Sequence, residues 1–256
     1  MSDDVRKAFA PVAANYLTSG FHAGAAWLEE VTELAQPRPA DLVLDVATGT
    51  GHTALALAPH VAHVTGLDLT SEMLEQARQL AEARGVTNVD WVLGDAQELP
   101  FADGSFDIWT ARAAPHHFSD LGRAIREAFR ILRPGGVLVI IDGSGPVEAR
   151  DHLHQVEMLR DPSHRLMYTV EEWRAILPAA GFTIEEARLR EMEQDFAAWV
   201  TRIGFPAERV DELARIIEAS TGPAREQLRP ERRQGRLFHA YWHALIRAVK
   251  PFGPPS

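Results

Sequence analysis

The stretch VLDVATGTG, residues 43–51, decides the fold of this chain. Its first residues are mostly apolar, as in a buried strand, and two glycines then form a turn before a helical segment that begins near His52. Glycine at such a turn lets the backbone come close to a ligand. The spacing of Gly49, Gly51 and Ala54 also fits the dinucleotide-binding fingerprint, and a plain strand-to-helix turn has the same form. The stretch therefore predicts a strand–turn–helix unit and leaves its ligand open.

Short apolar runs alternate with helical segments outward from this turn. The predicted strands cover residues 42–46, 61–69, 89–93, 106–111, 137–142, 182–190 and 236–248. Predicted helices follow the first turn and cover residues 71–84, 119–132, 146–160 and 170–180. Strands and helices that alternate at this interval are typical of a parallel sheet with helices on both faces. We therefore predict an α/β fold with a doubly wound, mostly parallel, seven-stranded sheet.

Helical segments flank the predicted core. Helical spacing of apolar residues predicts helices over 4–16 and 21–35, and a further helical stretch over 193–229 separates the last two strands. We expect a single domain. Its parts are a helical lid at 1–40, a cofactor-binding core at 41–190, a helical insertion at 191–234 and a final strand at 235–249.

The composition excludes several classes of function. Of the 256 residues 46% are hydrophobic and 24% charged, which is ordinary for a globular domain. The formal net charge of -10 would repel phosphate backbones, so nucleic acid is not an expected partner. Cysteine is absent, which excludes disulfides and thiolate zinc sites, and we predict no bound metal. The N-terminus lacks an apolar signal core and the longest apolar run, 137–141, is too short for a bilayer, so we expect a cytoplasmic protein without a membrane anchor.

Two acids close the second and third predicted strands, where ligands of doubly wound sheets bind. Asp68 could accept hydrogen bonds from both hydroxyls of a ribose, although it could equally cap the next helix. Asp95 could meet the amino group of an adenine, or it could be an ordinary loop residue. A nucleoside is therefore the predicted ligand.

Asp45 argues against a dinucleotide. This acid precedes the glycines, and no basic residue lies between Asp45 and Gly51. A pyrophosphate would be repelled there, whereas a cationic ligand without phosphate would be attracted. The chain also lacks the Tyr-x-x-x-Lys pair of short-chain dehydrogenases. A nicotinamide-dependent oxidoreductase is therefore the second hypothesis.

Five stretches together resemble the class I S-adenosylmethionine-dependent methyltransferases. They are VLDVATGTGHTA (43–54), GLDLTSEMLEQA (66–77), GDAQELPFADGSFDI (94–108), RAAPHHFSD (112–120) and LRPGGVLVIID (132–142). Within that family the chain is most similar to the branch that includes the ubiquinone/menaquinone-biosynthesis enzymes, over about residues 5–190. The resemblance implies a Rossmann-like methyltransferase fold and S-adenosylmethionine as cofactor, with S-adenosylhomocysteine as its product.

The resemblance assigns the residues after the first three strands to the cofactor. The methionine end is assigned to Asp45, Ala47, Gly49 and Gly51. The ribose is assigned to Asp68, and the adenine to Leu69, Met73, Asp95 and Ala96. Arg112, after the fourth strand, belongs to the same set. Ala47 is a departure, because many members carry glycine there, but this branch tolerates the change.

The adjacent pair His116 and His117 follows the fourth strand and should lie beside the transferred methyl group. An imidazole with a pKa near neutrality can accept the proton that a nucleophile loses. Either ring could instead pack and hydrogen-bond within a loop. Both histidines are predicted catalytic residues, with packing as the alternative for each.

Two other segments are candidates for the substrate pocket. Arg160 and His164 belong to the stretch RDPSH (160–164), which resembles a block in a subset of the branch and could also be a capped turn. Tyr16, Ser19 and His22 lie where this branch places a lid, although Tyr16 also fits a core position.

We expect methyl transfer from S-adenosylmethionine to a small-molecule acceptor by in-line displacement. The acceptor and the nucleophilic element, oxygen, nitrogen or carbon, stay open, and a homodimer is a further hypothesis. A non-catalytic module, with residues 191–234 as an interaction surface, is the alternative outside enzymes. Binding of nicotinamide or of S-adenosylmethionine, followed by transfer assays, would separate the three functions.

Overall fold

The computed structural model describes residues 2–17 and 23–253, and in these ranges it has one eight-stranded sheet. The strands are β1 Leu42–Val46, β2 His63–Asp68, β3 Val89–Leu93, β4 Phe106–Arg112, β5 Leu132–Ser144, β6 Thr183–Asp195, β7 Glu231–Arg233 and β8 Arg236–Val249. Their order is β3-β2-β1-β4-β5-β8-β6, and β7 pairs with β8. The strands from β3 to β5 are parallel, whereas β8 runs antiparallel to both of its neighbours in this order. The predicted doubly wound α/β sheet is confirmed, with a short eighth strand added.

Helices cover both faces of the sheet. They are α1 Ser2–Phe9, α2 Ala13–Leu17, α3 Ala25–Ala35, α4 His52–Leu57, α5 Ser71–Ala83, α6 Leu121–Ile131, α7 Val147–Arg160, α8 Val170–Ala179, α9 Phe196–Arg202, α10 Val210–Glu218 and α11 Gly222–Leu228. The strand order reverses between β1 and β4, so the loops that follow these two neighbouring strands lead away from each other and leave a crevice between them. A crevice at such a switch point is the usual ligand site of a doubly wound sheet.

Successive residues of β4 show how the sheet divides two apolar cores. The side chain of Ile108 packs with α3 and α4, and that of Trp109 packs on the opposite face with α6 and α8. Both residues are almost completely buried. Because side chains alternate along a strand, one apolar run supplies both faces, as expected for a central parallel strand.

The predicted N-terminal helix is two short helices. Pro11 lies in the turn Ala10–Val12 between α1 and α2, and proline provides no backbone N–H for a continuous helix. The segment 1–40 is also not one unit, because α3 is part of the core: Val31 and Leu34 are buried with Val43 of β1. Among the described residues of this segment, those that lie over the crevice belong to α1 and α2, and Ser19 and His22 fall outside the described residues.

The insertion begins later than its predicted start at residue 191. β6 pairs with β8 as far as Asp195 opposite Phe238, because β8 is long enough to support it, and Asp195 then caps α9 by accepting a hydrogen bond from the backbone N–H of Ala197 at 2.9 Å. The chain returns through a two-residue hairpin between β7 and β8. Gln234 and Gly235 have φ of 49° and 80°, values suited to a tight hairpin turn.

The inserted helices form a third apolar core against α7. Leu153 of α7 packs with Trp199 of α9, Ile217 of α10 and Leu228 of α11. These helices therefore bury their apolar faces within the chain. Within residues 2–17 and 23–253, no helix has both the length and the apolar character needed to cross a lipid bilayer.

Candidate active site

A cavity opens at the carboxyl ends of the first four strands, beneath α1 and α2. It contains about 1050 Å³ of empty space, including open solvent at its mouth. The sequence-predicted residues that line it are Asp45, Ala47, Gly49, Asp68, Leu69, Met73, Asp95, Ala96, Arg112, Tyr16 and His117. Gly51, His116, Arg160 and His164 lie outside the lining, and His22 is not among the described residues. The fold thus brings together most of the predicted cofactor residues and only one of the two predicted catalytic histidines.

The glycine turn after β1 adopts left-handed backbone conformations. Gly49 has a φ of 54° and Gly51 a φ of 82°, and Ala47 has a φ of 52° without being glycine. A Cβ atom added to Gly51 would lie 2.6 Å from the ring of Trp91, whereas one added to Gly49 would meet nothing within 4 Å. Gly51 therefore serves the packing of the turn against β3, and Gly49 keeps the cavity wall open.

Asp45 holds the ends of two strands together. Its carboxylate accepts hydrogen bonds from the hydroxyl of Thr48 at 2.5 Å and from that of Thr110, on β4, at 2.7 Å. Burial raises the pKa of Asp45, while the two threonine hydroxyls and the charge of Arg112 oppose that rise. The side chain is a fixed, buried acid at the base of the glycine turn.

Asp68 organises the end of β2. One carboxylate oxygen accepts the backbone N–H of Gly49 and the other that of Thr70, each at 2.8 Å. Burial raises the pKa of Asp68 to about 6, against the effect of these hydrogen bonds. Each carboxylate oxygen can accept a second hydrogen bond. The carboxylate is thus oriented and retains capacity to bind hydroxyl groups of a ligand in the cavity.

Asp95 orients the loop that follows β3. Its carboxylate accepts hydrogen bonds at 2.9 Å from both the backbone and the side-chain N–H of Gln97. The carbonyl oxygen of the Gln97 side chain in turn accepts the Ser119 hydroxyl at 2.8 Å and the Asp120 backbone N–H at 2.7 Å. These bonds join the loops after β3 and β4, the two walls of one end of the cavity.

Arg112 provides a cation at the cavity wall. Its Nε donates to the hydroxyl of Thr53 at 3.0 Å. Burial lowers the pKa of Arg112 to about 10, against the attraction of Asp45, so the guanidinium is still charged at neutral pH. The cavity therefore presents acids at Asp45 and Asp68 and a base at Arg112, a pattern that suits a ligand with charges of both signs.

The helices α1 and α2 form a roof over the cavity, with Phe9 and Tyr16 in its lining. His52, the first residue of α4, has its Nε2 at 3.3 Å from the carbonyl of Tyr16 and at 3.1 Å from that of Leu17. Carbonyls only accept, so Nε2 carries the proton and donates to the C-terminal end of α2. His52 joins the roof to the glycine turn, a role that sequence reasoning missed although His52 follows Gly51 directly.

His117 reaches the cavity, with its ring edge-on to Phe9 at 5.0 Å between centroids. Its Nδ1 lies 3.2 Å from both the carbonyl and the hydroxyl oxygen of Ser163, so Nδ1 carries the proton and Nε2 has the free electron pair. Burial lowers the pKa of His117 to about 3, and the charge of His116 adds to that effect while Asp161 opposes it. At neutral pH the ring is an uncharged base.

His116 faces the interior instead of the cavity. Its backbone N–H and its Nδ1 both contact the carboxylate of Asp142, at 2.9 Å and 2.5 Å. Burial alone would lower the pKa of His116, but the charge and hydrogen bond of Asp142 raise it above the usual value. Sequence adjacency therefore gave two histidines with different surroundings, because the short helical turn at 115–117 points consecutive side chains in different directions.

Arg160 and His164 lie in the interior near the loop that carries His116. Arg160 donates to the buried carboxylate of Glu157 at 2.9 Å and its guanidinium stacks over Trp199 at 4.4 Å. His164 stacks on His116 at 4.8 Å, and neither ring nitrogen of His164 has a hydrogen-bond partner within residues 2–17 and 23–253. Burial lowers the pKa of His164 to about 2. Both predicted substrate residues are thus packed beneath the insertion, away from the cavity lining.

The turn between these two residues has the capped form that the sequence allowed. Asp161 accepts hydrogen bonds from the backbone N–H of Ser163 at 2.9 Å and from its hydroxyl at 2.6 Å.

Phe118 and Ser119 also line the cavity, although the sequence pattern predicted no role for them. Their position directly after the histidines was the signal that could have found them.

Comparison with known proteins identifies the family of this chain. A family model described as a methyltransferase domain matches residues 44–140. The uncharacterized methyltransferase YcgJ of Bacillus subtilis is 36% identical over 194 residues, which cover 75% of this chain and 77% of YcgJ. In the crystal structure of YcgJ the similarity covers 88% of this chain and 98% of that chain, with a TM-score of 0.83 at 33% identity.

A second relative has a name that specifies methylation of carbon. The ubiquinone/menaquinone biosynthesis C-methyltransferase UbiE of Dinoroseobacter shibae is 31% identical over 221 residues, 78% of this chain and 82% of the relative. The fold, the cavity and these relatives agree with the resemblance found in the sequence. The chain belongs to the class I S-adenosylmethionine-dependent methyltransferases, in the branch that includes the UbiE-type enzymes.

Proposed function

We propose that this chain binds S-adenosylmethionine in the cavity after β1 to β4 and transfers its methyl group to a small organic acceptor. The observation that carries the proposal is the convergence of the glycine turn, Asp68 and Asp95 on one side of a cavity that has His117 in its lining. Parallel strands place their carboxyl ends at one edge of the sheet, so acids far apart in sequence meet there.

The residues present fit this cofactor. The open space beside Gly49 leaves room for a ligand against the turn, and the paired charges of Asp45 and Arg112 match an amino-acid group, which has an ammonium and a carboxylate. Asp68 suits the ribose hydroxyls, and Leu69 and Met73 provide apolar contacts for an adenine. Among the described residues of the lining there is one arginine, Arg112, and no lysine, so this part of the chain has no basic cluster of the kind that binds a pyrophosphate.

The chain's own contribution would be orientation, exclusion of water and proton acceptance. When bound, the cofactor supplies a methyl group that its sulfonium already activates for in-line displacement. Phe9 and Tyr16 cover the cavity and keep water from the reacting atoms. Fixed binding of both reactants can supply much of the rate enhancement, because it replaces a bimolecular encounter with an oriented one.

His117 would take the proton that the acceptor loses. Its ring is neutral at pH 7, and Nδ1 is held by Ser163, so Nε2 is the basic atom. On methyl transfer, the O–H, N–H or C–H proton of the acceptor would pass to Nε2 of His117, and the products would be a neutral methylated acceptor and S-adenosylhomocysteine. An already ionised acceptor would not need this step, and loss of His117 would then have little effect.

The acceptor is a small organic molecule of undetermined identity in this proposal. The cavity lining continues past the residues assigned to the cofactor to His117, Phe118 and Ser119, so the proposal places a small acceptor beside these side chains. The UbiE-type relatives are named as C-methyltransferases, which makes carbon one of the elements to test. The homodimer stays a prediction, which analytical ultracentrifugation would test.

Calorimetric titration with S-adenosylmethionine and S-adenosylhomocysteine tests the proposal. We expect one-to-one binding, and Asp68→Ala should weaken it about ten- to a few-hundred-fold, since hydrogen bonds to a charged group contribute about 1.5–3 kcal/mol each. Asp90→Ala, which removes an exposed acid on β3, is the matched control and should bind like the parent. Binding of NADH in place of these ligands would contradict the proposal.

Turnover is tested separately from binding. Incubation with methyl-labelled cofactor and a metabolite extract, followed by mass spectrometry, would identify the acceptor. His117→Ala should then lower turnover about 10² to 10⁴-fold with little change in cofactor affinity. Normal turnover in a well-folded His117→Ala protein would remove the base from the mechanism.

A further inference from the structure

Asp142, at the carboxyl end of β5, holds the loop that carries both histidines. The carboxylate accepts the backbone N–H of His116 through one oxygen, at 2.9 Å, and the ring Nδ1–H of His116 through the other, at 2.5 Å. Asp142 is 1% exposed, so water does not compete for these bonds. A carboxylate this close to an imidazole favours the imidazolium form. The geometry therefore favours a positive charge on His116, inside the protein.

That charge lies directly against His117. The centroids of the two rings are 4.0 Å apart. Two positive charges at this distance in a buried site are strongly unfavourable, so protonation of His116 disfavours protonation of His117. The pair resembles two carboxylates that share one proton, with the charge signs reversed. Asp142 breaks the symmetry, because it contacts only one of the two rings.

We propose that Asp142 is a positioning residue that acts through His116: it fixes the loop after β4 beside the cavity and keeps the His117 ring uncharged and ready to accept a proton. The inference rests on the proposed function of His117 for its catalytic meaning. The charge distribution itself is independent of any acceptor. In this arrangement the proton on His116 stays in the hydrogen bond to Asp142 and takes no part in the reaction. The proton taken up during turnover binds to Nε2 of His117.

The other charges near His117 are accounted for. Asp161 on the turn after α7 has a carboxylate oxygen 3.8 Å from Nε2 and favours the protonated ring, and Arg160 at the end of α7 disfavours it. His164, stacked on His116, is uncharged, since burial and the charge of His116 both lower its pKa. His116 is therefore the residue through which a change at Asp142 reaches His117.

The test is the protonation state of each ring, measured by ¹H–¹⁵N long-range correlation NMR on the full-length protein between pH 5 and 8. In the parent, His117 should remain neutral through the whole range and His116 should be protonated at its acidic end. In His116→Gln, which retains a side-chain donor toward Asp142, the pKa of His117 should rise from about 3 by two units or more toward the reference value of about 6.5, so that its protonation becomes visible at the acidic end of this range. Asp142→Asn should give the same rise, because an uncharged partner no longer holds a proton on His116.

A control variant should show no such rise in the pKa of His117. Asp161→Asn keeps an oxygen for the Ser163 hydrogen bonds and removes the charge that favours protonated His117, so His117 should stay neutral down to pH 5. If Asp142→Asn does not fold, His116→Gln carries the test. A parent His117 that is protonated at pH 6, or one that stays neutral in both His116→Gln and Asp142→Asn, overturns the inference.

Turnover provides the second readout once an acceptor is known. In His116→Gln the rising limb of kcat with pH should move to higher pH, while KM for the cofactor stays near that of the parent, because the cofactor residues are unchanged. Shifted His117 titration combined with pH-independent turnover would uphold the charge arrangement and reject the base. A merely structural role for Asp142 would lower stability without moving the pKa of His117.

Discussion

The carboxylate of Asp68 accepts the backbone N–H of Gly49 at 2.8 Å, a contact between the end of β2 and the glycine turn after β1. The same carboxylate also accepts the N–H of Thr70 at the start of α5. One acid thus fixes the turn, the strand end and the following helix relative to each other. The residue proposed to bind ribose is held in place before any ligand enters, which reduces the cost of ordering it on binding.

Cofactor affinity should depend on pH through Asp68. Burial raises the pKa of this carboxyl to about 6 in the free protein, so it is neutral at lower pH and charged at neutral pH. Hydroxyl groups donate better to the charged form, so affinity for S-adenosylhomocysteine should rise from pH 5 to 7 by about tenfold and then level off. Calorimetry at several pH values measures this. Asp68→Asn should bind more weakly and show no such rise; an identical slope in Asp68→Asn would assign the pH dependence to another group.

Two glycine substitutions in one turn should separate stability from binding. Gly51→Ala forces a Cβ to within 2.6 Å of Trp91 at a φ of 82°, so it should lower the free energy of unfolding by about 2–4 kcal/mol. Gly49→Ala meets open space, so it should cost only about 1 kcal/mol of strain and instead weaken cofactor binding. Denaturant unfolding and calorimetry on both variants check this. Equal losses of stability would mean that Trp91 does not restrict the turn.

The Arg160–Glu157 pair should contribute mainly to stability. Burial raises the pKa of Glu157, but Arg160 outweighs it and lowers that pKa to about 2. Stability from this depressed pKa is present above the unfolded value of about 4.3 and is lost as the pH falls toward 2. Arg160→Met removes the cationic partner of a buried acid that keeps only the hydrogen bond of Tyr241, and the free energy of unfolding should fall by about 3–5 kcal/mol at pH 7.

Arg150→Met is the matched control for that pair. Arg150 pairs with Asp151 and Glu172 in a partly exposed position, so its loss should cost less than about 1 kcal/mol. A stable Arg160→Met protein with a raised KM for the acceptor would restore Arg160 to the substrate pocket, where the sequence predicted it.

Cofactor binding should stabilise the roof formed by α1 and α2, and the hydrogen bonds of His52 should contribute to this stabilisation. Lids come from the least stable parts of a structure, and His52 donates to the last carbonyls of α2. Hydrogen exchange over residues 2–17 should slow when S-adenosylhomocysteine binds, and His52→Ala should reduce this protection. His52→Gln, which can still donate a hydrogen bond, should restore most of it. Equal exchange with and without ligand would make α1 and α2 a permanent part of the core.

Local sequence patterns were sufficient for the fold and for many of the residues that line the cavity. The alternation of apolar runs with helical segments predicted the parallel strands, since each pattern is set by residues near each other in the chain. Asp45, Asp68 and Asp95 could be predicted as neighbours because each lies at the carboxyl end of a parallel strand or in the loop after it, and such strands end at one edge of the sheet. Boundaries were less accurate where pairing decided them, as in β6, which continues to Asp195 because β8 extends beside it.

Only the tertiary structure decided which polar residues reach the cavity. His116 and His117 are equivalent in the sequence, but Asp142 at the end of β5 turns one inward and leaves the other in the cavity wall. Arg160 looks available in the sequence, but Glu157, one turn earlier on α7, pairs with it inside the protein. Sequence determines what each residue can donate, accept or bury. The residue that pairs with a given side chain often lies on another strand or helix, so the pairing is decided only when the chain folds.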